Sequence, residues 1–375
     1  MDKIKVIDAD SHVYEVEDTW DHLPKEYQAR RPVPITMKSE DAPYMGVDNS
    51  FWLVDGRTVQ WTWGKGTVQI GCPLTSKHAK MKVFSIGSQS LMDVDARIKD
   101  LDKAGVATQV IYPTLFLVPL SEDDAFETAL IKSYNSWIAE RCGQSPNRLK
   151  WAALLPLRQP AEAVEEIRRV KELGAISLAT FGTAGDKLLN AAEFDPVWAA
   201  ASESGLPVCC HVGWSHPGLR MSCDEHASSI NISFTLPLLL GFFSFLGGGI
   251  LDRHPKLRVA FLEGGAGWIP WYFERINHYY PVVNFFRTSF GLDRMPSRKP
   301  IEYKDRVYAT CEADEVLLPQ AIKCLGEDNI MVSEDMPHLE EREGSVKELG
   351  ERNDIPERVK QKILYDNPAR FYNLT

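Results

Sequence analysis

Two side chains that commonly bind metal ions lie close together near the start of the sequence. The segment Asp8-Ala9-Asp10-Ser11-His12 follows a short apolar run and is predicted to end the first β-strand. Asp10 and His12 are two residues apart, so their side chains point to the same side of an extended chain. This spacing allows one cation to bind both the carboxylate and the imidazole.

Two later strand ends carry the same kinds of group. His211 ends one predicted strand, and Asp335 directly follows another. Because the carboxyl ends of parallel strands converge at one rim of a barrel, we expect both to lie beside Asp10 and His12. Two nitrogen and two carboxylate ligands suit zinc, iron or manganese, with one coordination position left for water. The sequence therefore predicts a catalytic metal site.

Two more residues at this predicted rim have side chains that can move a proton. Glu263 ends the sixth predicted strand, and we interpret it as a general base, a further metal ligand or an acid held in a salt bridge. The glycines that follow it allow a ligand to approach the backbone closely, which favours a role in the site. His338 follows Asp335 by three residues and is interpreted as a partner of a metal ligand, an acid/base or a turn-stabilising group.

The elements that must position these residues are eight strands that alternate with helices. The strands are predicted at 3–10, 107–113, 149–155, 175–180, 206–211, 257–263, 306–311 and 329–334, and helices at 122–141, 160–173, 195–204 and 266–279. Eight such units favour a closed (β/α)8 TIM barrel. A doubly wound open sheet is less favoured because no Gly-x-Gly-x-x-Gly turn follows the first strand.

The interval 13–92 is too long for a strand-to-helix connection. It is predicted to be an insertion with structure of its own near the mouth of the active site, and residues 51–61 predict a hairpin with an Asp55-Gly56 turn. With that insertion, residues 1–375 are predicted to form a single barrel domain.

Composition excludes several partners and predicts a cytoplasmic protein. The formal net charge of −10 is unfavourable for nucleic acid and anionic membranes, so we expect a small-molecule substrate. Seven scattered cysteines without a Cys-x-x-Cys pair indicate reduced thiols, and we see no signal peptide at the N-terminus. The uncharged segment 234–251 contains Pro237 and a run of three glycines, so we predict a buried helix or a subunit contact and no membrane span.

The complete pattern resembles the amidohydrolase superfamily, in the amidohydrolase-related branch that includes aminocarboxymuconate-semialdehyde decarboxylase and γ-resorcylate decarboxylase. The resemblance is carried by residues 8–12, 207–213, 255–268 and 333–338. It implies one catalytic metal, bound by Asp10, His12, His211 and Asp335. Asp10 stands where many members have histidine, and Glu263 stands where the decarboxylases have a catalytic histidine before Gly-Gly.

Three functions follow from this resemblance. The first is a metal-dependent hydrolase or non-oxidative decarboxylase of a small carboxylic acid or amide, in which Glu263 or His338 moves the proton. The second is a dinuclear iron or iron/manganese oxygenase with Glu263 as a ligand, since the sequence is also similar to 2-aminoisobutyrate hydroxylase and a diterpenoid monooxygenase. The third is an inactive partner subunit of an active paralogue. The resemblance also implies a homo- or hetero-oligomer.

Overall fold

Eight parallel strands form the centre of the molecule. The computed structural model describes residues 5–38, 49–59, 83–338 and 344–374. In chain order its strands are β1 (Ile7–Val13), β2 (Val33–Met37), β3 (Asn49–Val54), β4 (Arg57–Val59), β5 (Thr108–Pro113), β6 (Leu149–Leu154), β7 (Ser177–Phe181), β8 (Thr183–Ala184), β9 (Lys187–Leu188), β10 (Val208–His211), β11 (Val259–Leu262), β12 (Val307–Cys311) and β13 (Ile330–Val332). Strands β1, β5, β6, β7, β10, β11, β12 and β13 lie side by side in that order.

The first and last of these eight strands are joined by backbone hydrogen bonds just beyond their ends. Asp335 N donates to Asp10 O over 3.1 Å, and His12 N donates to Met336 O over 2.6 Å. The sheet is therefore nearly closed, which confirms the predicted (β/α)8 TIM barrel and all eight predicted barrel strands.

Helices follow the barrel strands and surround them. They are α1 (Ile86–Ser90), α2 (Val94–Ala104), α3 (Asp124–Gly143), α4 (Pro160–Glu172), α5 (Asp195–Ser204), α6 (Pro217–Ser222), α7 (His226–Ser228), α8 (Leu236–Leu246), α9 (Ile250–Arg253), α10 (Ile269–Phe290), α11 (Leu318–Leu325), α12 (Ser345–Glu351), α13 (Glu357–Gln361) and α14 (Asn367–Phe371). Helix α4 shows how they pack: Ala163, Ile167 and Val170 are buried at helical spacing.

The barrel strands are apolar because both of their faces are covered. Every residue of β10, β11, β12 and β13 is buried. A parallel strand between a packed interior and outer helices gives a continuous apolar run, which is the pattern that predicted these strands. Polar side chains on such strands are informative, because burial of a polar group is costly unless the group is paired.

The insertion after β1 contains a small antiparallel sheet formed by β2, β3 and β4. Asp55 and Gly56 have φ angles of 50° and 72°, which fit the tight two-residue turn predicted there. The predicted hairpin is thus confirmed over residues 49–59, whereas residues 39–48 and 60–82 lie outside the described residues. Its location at the mouth of the active site stays a prediction.

The long apolar segment belongs to the core of the fold. The helical stretch Ser229–Arg253 has the length and composition of a membrane span, but 61% of its most apolar window is buried inside the protein. In α8 the ring of Phe242 packs 4.9 Å from the ring of Phe261 on β11. The core helix of a protein can be as long and as apolar as a membrane span. The prediction of a buried helix is confirmed.

Candidate metal centre

The predicted metal ligands of β1 and β10 meet at the carboxyl end of the barrel. His12 Nε2 and His211 Nε2 face each other at 3.2 Å. Asp10 Oδ1 lies 3.6 Å from the nitrogen of His211 and 3.9 Å from that of His12. All three side chains are buried, so the strands bring two imidazoles and one carboxylate to a single point within the protein.

Two further carboxylates reach the same point from the ends of β11 and β13. Glu263 Oε2 lies 3.1 Å from His211 Nε2 and 3.5 Å from His12 Nε2. Asp335 Oδ1 lies 3.7 Å from His12 Nε2. Glu263 and Asp335 both adopt the left-handed backbone conformation, with φ angles of 59° and 48°. This conformation costs a residue other than glycine about 1 kcal/mol or more, and such strain is concentrated at functional sites.

The orientation of both imidazoles is fixed by backbone carbonyl groups. His12 Nδ1 lies 2.9 Å from Pro113 O, and His211 Nδ1 lies 2.8 Å from Val212 O. Since a carbonyl oxygen only accepts, each Nδ1 carries the proton that it donates. In the neutral form each Nε2 then presents a lone pair to the centre, which is how metal-binding histidines are oriented.

The charges at this point fit a divalent cation. Neither carboxylate oxygen of Asp10, nor Oε2 of Glu263, accepts a hydrogen bond within the described part of the chain. Buried carboxylate oxygens without partners are costly, and when both imidazoles are neutral their Nε2 lone pairs, 3.2 Å apart, repel each other. A cation bound between them would satisfy all these groups. Mixed nitrogen and oxygen donors suit zinc, manganese or iron.

The protonation states of these groups depend on one another. Burial raises the pKa of Asp10. Burial would also raise the pKa of Glu263, but His12 and His211 hold it well below its ordinary value. Conversely, burial would lower the pKa of His211, but Asp10 and Glu263 raise it well above its usual range. A metal ion must therefore displace a proton from His211, so we expect metal binding to release protons.

His338 connects this centre to the loop after β5. Its Nδ1 lies 3.0 Å from Asp335 Oδ1, and its Nε2 lies 2.7 Å from Thr114 Oγ1. Its ring is stacked on that of His12, with 4.0 Å between the ring centroids. The structure thus brings His338 to the site, as the sequence predicts. It adds Thr114, which no motif had indicated.

Arg97 is a second residue that sequence reasoning missed. It lies on α2, is fully buried, and donates from its guanidinium group to His12 O at 2.8 Å and to Met336 O at 3.3 Å. It also donates to Ser88 O at 3.2 Å and to Gln109 Oε1 at 2.9 Å. Burial lowers its pKa to about 10, so it stays charged at neutral pH. Arg97 thereby fixes the backbone beside two of the candidate ligands.

Replacement of Arg97 tests this role. We expect Arg97→Ala to lower the free energy of unfolding by about 3 kcal/mol or more, because it leaves several buried acceptors unpaired. Urea denaturation of the metal-free protein measures the change. Arg168→Ala is the matched control, since Arg168 is exposed and forms a salt bridge with Glu165, which is exposed as well. Equal unfolding midpoints for the two variants would contradict the role of Arg97.

Glu15 holds the loop that carries Thr114. Its two carboxylate oxygens accept hydrogen bonds from Thr114 N at 3.0 Å and Leu115 N at 2.9 Å. Complete burial raises the pKa of Glu15 to about 8, although both hydrogen bonds oppose that rise. The carboxyl group is therefore expected to be protonated below that pH in the folded protein.

This elevated pKa predicts a pH dependence of stability. The pKa rises from 4.5 to about 8 on folding, so the folded protein binds the proton more tightly. The free energy of unfolding should then fall as the pH rises through this window, by about 1.4 kcal/mol for each unit of pKa shift. Burial also raises the pKa of Glu334 to about 8. Glu334 should therefore also lower the free energy of unfolding as the pH rises through this window.

The variant Glu15→Gln isolates the contribution of Glu15. The NH2 group of the new glutamine would face a backbone N–H donor. We therefore expect the variant to have a lower free energy of unfolding than the wild type at pH 5. Its stability should fall less steeply than that of the wild type between pH 5 and pH 8, as measured by urea denaturation with a chelator present. Parallel curves for the two proteins would refute the assignment.

A cavity of about 140 Å³ lies at the carboxyl ends of β6 and β7. Most of its lining is apolar and includes Phe116 and Phe181, and its charged groups are Arg158, Arg220, Glu122 and Glu127. Phe181 is paired with His211 in the register of β7 and β10. The cavity is therefore adjacent to the end of the strand that carries one candidate ligand.

Comparison with known proteins gives a family match over most of the chain. The family described as "Amidohydrolase" matches residues 93–374. A γ-resorcylate decarboxylase from Polaromonas sp. strain JS666 is 24% identical over 298 residues, which cover 76% of this chain and 89% of that protein.

Two solved structures have the same fold. An amidohydrolase from Mycobacterium avium subsp. paratuberculosis K-10 has a TM-score of 0.74 at 22% identity, with 98% of this chain and 97% of that chain covered. A dihydroxybenzoic acid decarboxylase from Polaromonas sp. JS666 has a TM-score of 0.64 at 22% identity, with 75% and 86% covered. That crystal structure contains manganese and the inhibitor 2-nitroresorcinol.

Proposed function

The chain belongs to the amidohydrolase family, and from this premise we propose that it is a metal-dependent enzyme that decarboxylates a small carboxylic acid without an oxidant. The observation that carries the proposal is the convergence of Asp10, His12, His211 and Asp335 at one buried point. The similarity to a γ-resorcylate decarboxylase supports the reaction class.

These four residues are the proposed metal ligands. A divalent cation bound there would polarise the oxygen atoms of a substrate carboxylate or of water. Pro113 and Val212 would orient the two imidazoles through their carbonyl groups. The protein's own contribution is thus a set of ligands whose directions are fixed before the substrate binds.

Glu263 and His338 are the proposed proton carriers. Loss of carbon dioxide breaks a C–C bond, and the carbon that keeps the electron pair must accept a proton. Glu263 Oε2 lies at the ligand cluster, and because the pKa of Glu263 is held low there, its carboxylate must first take up a proton from water before it can deliver one to the carbon. His338 is the second candidate, because its Nδ1 lies 3.0 Å from Asp335 Oδ1 and its Nε2 lies 2.7 Å from Thr114 Oγ1, so its imidazole can exchange a proton with either neighbour.

The adjacent cavity is the proposed site for the body of the substrate. A dry cavity of about 150 Å³ accommodates a benzene ring, so a volume of about 140 Å³ suits one aromatic ring. Arg158 and Arg220 share the lining with Glu122 and Glu127, and Arg158 is paired with Glu127 over 2.6 Å, so it is the volume and the apolar lining that favour such a ring. The proposed substrate class is therefore an aromatic carboxylic acid.

The decisive experiment combines a substrate panel with control of oxygen. Manganese-loaded enzyme is incubated with hydroxylated benzoic acids, including γ-resorcylate, under air and under nitrogen. We expect one carbon dioxide to form for each substrate consumed, at the same rate under both gases. Consumption of a substrate only under air, with oxygen incorporated into the product, would contradict the proposal.

One observation favours a second function, a dinuclear iron or iron/manganese oxygenase. The ligand-type side chains fall into two overlapping groups, namely Asp10, His12 and His211, and His12, Glu263, Asp335 and His338. Within each group the potential ligand atoms lie within 4.8 Å of one another, and Glu263 adds a carboxylate to the second group. Carboxylate-rich ligand sets suit paired iron or manganese ions. About two metal ions per chain and a requirement for oxygen would favour this function.

A further inference from the structure

The turn that follows β11 has an unusual backbone. Glu263 and Gly265 both have positive φ angles, 59° and 63°, and of the two only the glycine accepts this conformation without strain. The turn is also closely packed, because a Cβ atom at Gly264 would lie 2.3 Å from the side chain of Leu238. The shape of this β11 turn, residues 263–267, determines where the carboxylate of Glu263 lies.

Glu315 binds the β11 turn from the loop that follows β12. Its Oε2 accepts hydrogen bonds from Ala266 N at 2.8 Å and from Gly267 N at 3.0 Å. Its Oε1 accepts a third from Glu312 N at 2.8 Å, within its own loop. Burial raises the pKa of Glu315, and these three hydrogen bonds oppose that rise. One carboxyl group with both oxygens engaged therefore joins the loops that follow two neighbouring strands.

The contact between Glu315 and the turn leaves no free space. A Cβ atom at Gly265 would lie 3.1 Å from the carboxyl carbon of Glu315 and 3.2 Å from each of its oxygens. The first residue of the turn is held from the same neighbouring strand, since Glu263 N donates to Thr310 Oγ1 over 3.0 Å. The turn is thus held at its first residue by Thr310 and at its last two residues by Glu315.

The loop that carries Glu315 is itself fixed in place. Arg352 Nη1 donates to Ala313 O at 2.8 Å and to Glu315 O at 2.7 Å. The Nε and Nη2 atoms of Arg352 donate to the two carboxylate oxygens of Asp354, at 3.0 Å and 2.7 Å. These four hydrogen bonds hold the guanidinium group, so the backbone of Glu315 has a fixed position relative to the β11 turn.

The carboxylate of Glu263 depends on this support more than its neighbours do. The side chains of Asp10, His12, His211 and Asp335 are at most 3% exposed, whereas that of Glu263 is 15% exposed. Packing around the side chain therefore restricts Glu263 less, and its backbone must restrict it more. Misplacement of a catalytic group by about 1 Å can lower a rate by about a hundredfold, so the shape of the turn should affect catalysis.

We propose that Glu315 is a positioning residue, which holds the β11 turn in the shape that brings the carboxylate of Glu263 to the ligand cluster. Its carboxyl group contacts the backbone of the turn, so Glu315 acts through Glu263 and does not touch the substrate. The inference rests on the proposed role of Glu263 in the reaction.

The first test is the variant Glu315→Gln. Glutamine has one acceptor oxygen in place of two, so it cannot accept from both the turn and Glu312 N. We expect kcat to fall by about tenfold or more, with KM unchanged, because only the group that acts during the reaction is displaced. Glu348→Gln is the matched control, since it removes the same charge from an exposed position on α12 and should keep the wild-type kcat. An unchanged kcat in Glu315→Gln would overturn the proposal.

A double-mutant cycle separates positioning from a general effect on the fold. In the background of Glu263→Gln, the change Glu315→Gln should cause no further loss of kcat, because the group that it positions has already been removed. If the two losses multiply in the double variant, Glu315 acts independently of Glu263 and the proposal is wrong.

The variant Gly265→Ala tests the same contact from the side of the turn. Its methyl group would press on the carboxyl group of Glu315, so it should lower kcat as Glu315→Gln does. It also replaces Glu315→Gln in the cycle if circular dichroism shows that Glu315→Gln does not fold. Wild-type kcat in Gly265→Ala would contradict the proposal.

Crystal structures of the metal-free proteins test the geometry without any substrate. From wild type to Glu315→Gln, the distance of 3.1 Å between Glu263 Oε2 and His211 Nε2 should increase by about 1 Å. The distance of 3.6 Å between Asp10 Oδ1 and His211 Nε2 should not change. An unmoved Glu263 would overturn the inference whatever the enzyme catalyses. If Glu263 moves but the wild type decarboxylates no acid, the proposed function fails and the positioning by Glu315 is supported.

Discussion

The variant His211→Ala is expected to lose its metal and to retain no more than about one thousandth of the wild-type turnover. The imidazole of His211 supplies one of two neutral nitrogen ligands, and its Nε2 lies within 3.6 Å of Asp10, His12 and Glu263. Metal-ion catalysis contributes several kcal/mol to stabilisation of the transition state, and each 1.36 kcal/mol corresponds to a tenfold change in rate. Inductively coupled plasma mass spectrometry gives the metal content, and carbon dioxide release gives the rate.

The control is His22→Ala. His22 is partly exposed and lies 3.3 Å from Glu140 on the outer helix α3, so its loss should change neither metal content nor rate. A further ligand variant, Asp335→Ala, should behave like His211→Ala. Full metal occupancy in both ligand variants would show that the metal site has been placed wrongly.

The second large effect is expected for Glu263→Gln. This change keeps the size of the side chain but removes its charge and its ability to accept a proton, so turnover should fall by about a hundredfold or more, as for loss of a general acid–base group. Metal content then separates the two roles. It should stay at one ion per chain if Glu263 only carries protons, and it should fall if Glu263 is a ligand.

The variant Glu263→Asp makes this comparison sharper. Aspartate keeps the negative charge but withdraws the carboxylate by one methylene group, so metal binding should survive better than turnover. If Glu263→Gln turns over as fast as the wild type, Glu263 is neither proton carrier nor ligand and serves only as an ion-pair partner of His12 and His211.

The barrel and the main site residues could be predicted because both depend on local patterns. Parallel strands buried on both faces give apolar runs, and the polar residue that ends such a run marks the catalytic rim. His211 and Glu263 were found in this way, and the structure places them 3.1 Å apart. The spacing of residues within one strand could not predict this distance, because the two residues end different strands and are 52 positions apart in the sequence.

Other features depend on contacts between segments that have no pattern of their own. Arg97 lies on a helix at a position that resembles a solvated face, and only the fold brings it to the carbonyl groups of His12 and Met336. Thr114 likewise becomes relevant only through His338. Helix α10 was predicted to end at 279, but it continues through Pro281 to Phe290, because an interior proline can kink a helix without ending it.

The left-handed backbone of Glu263 and Asp335 has a consequence for directed evolution. Both positions adopt a conformation that glycine accepts without strain, so a screen for thermal stability alone would enrich Glu263→Gly and Asp335→Gly. These same changes would delete a proton carrier and a metal ligand. Libraries made from this scaffold should therefore keep both codons fixed, since their most heat-resistant members would otherwise tend to be inactive.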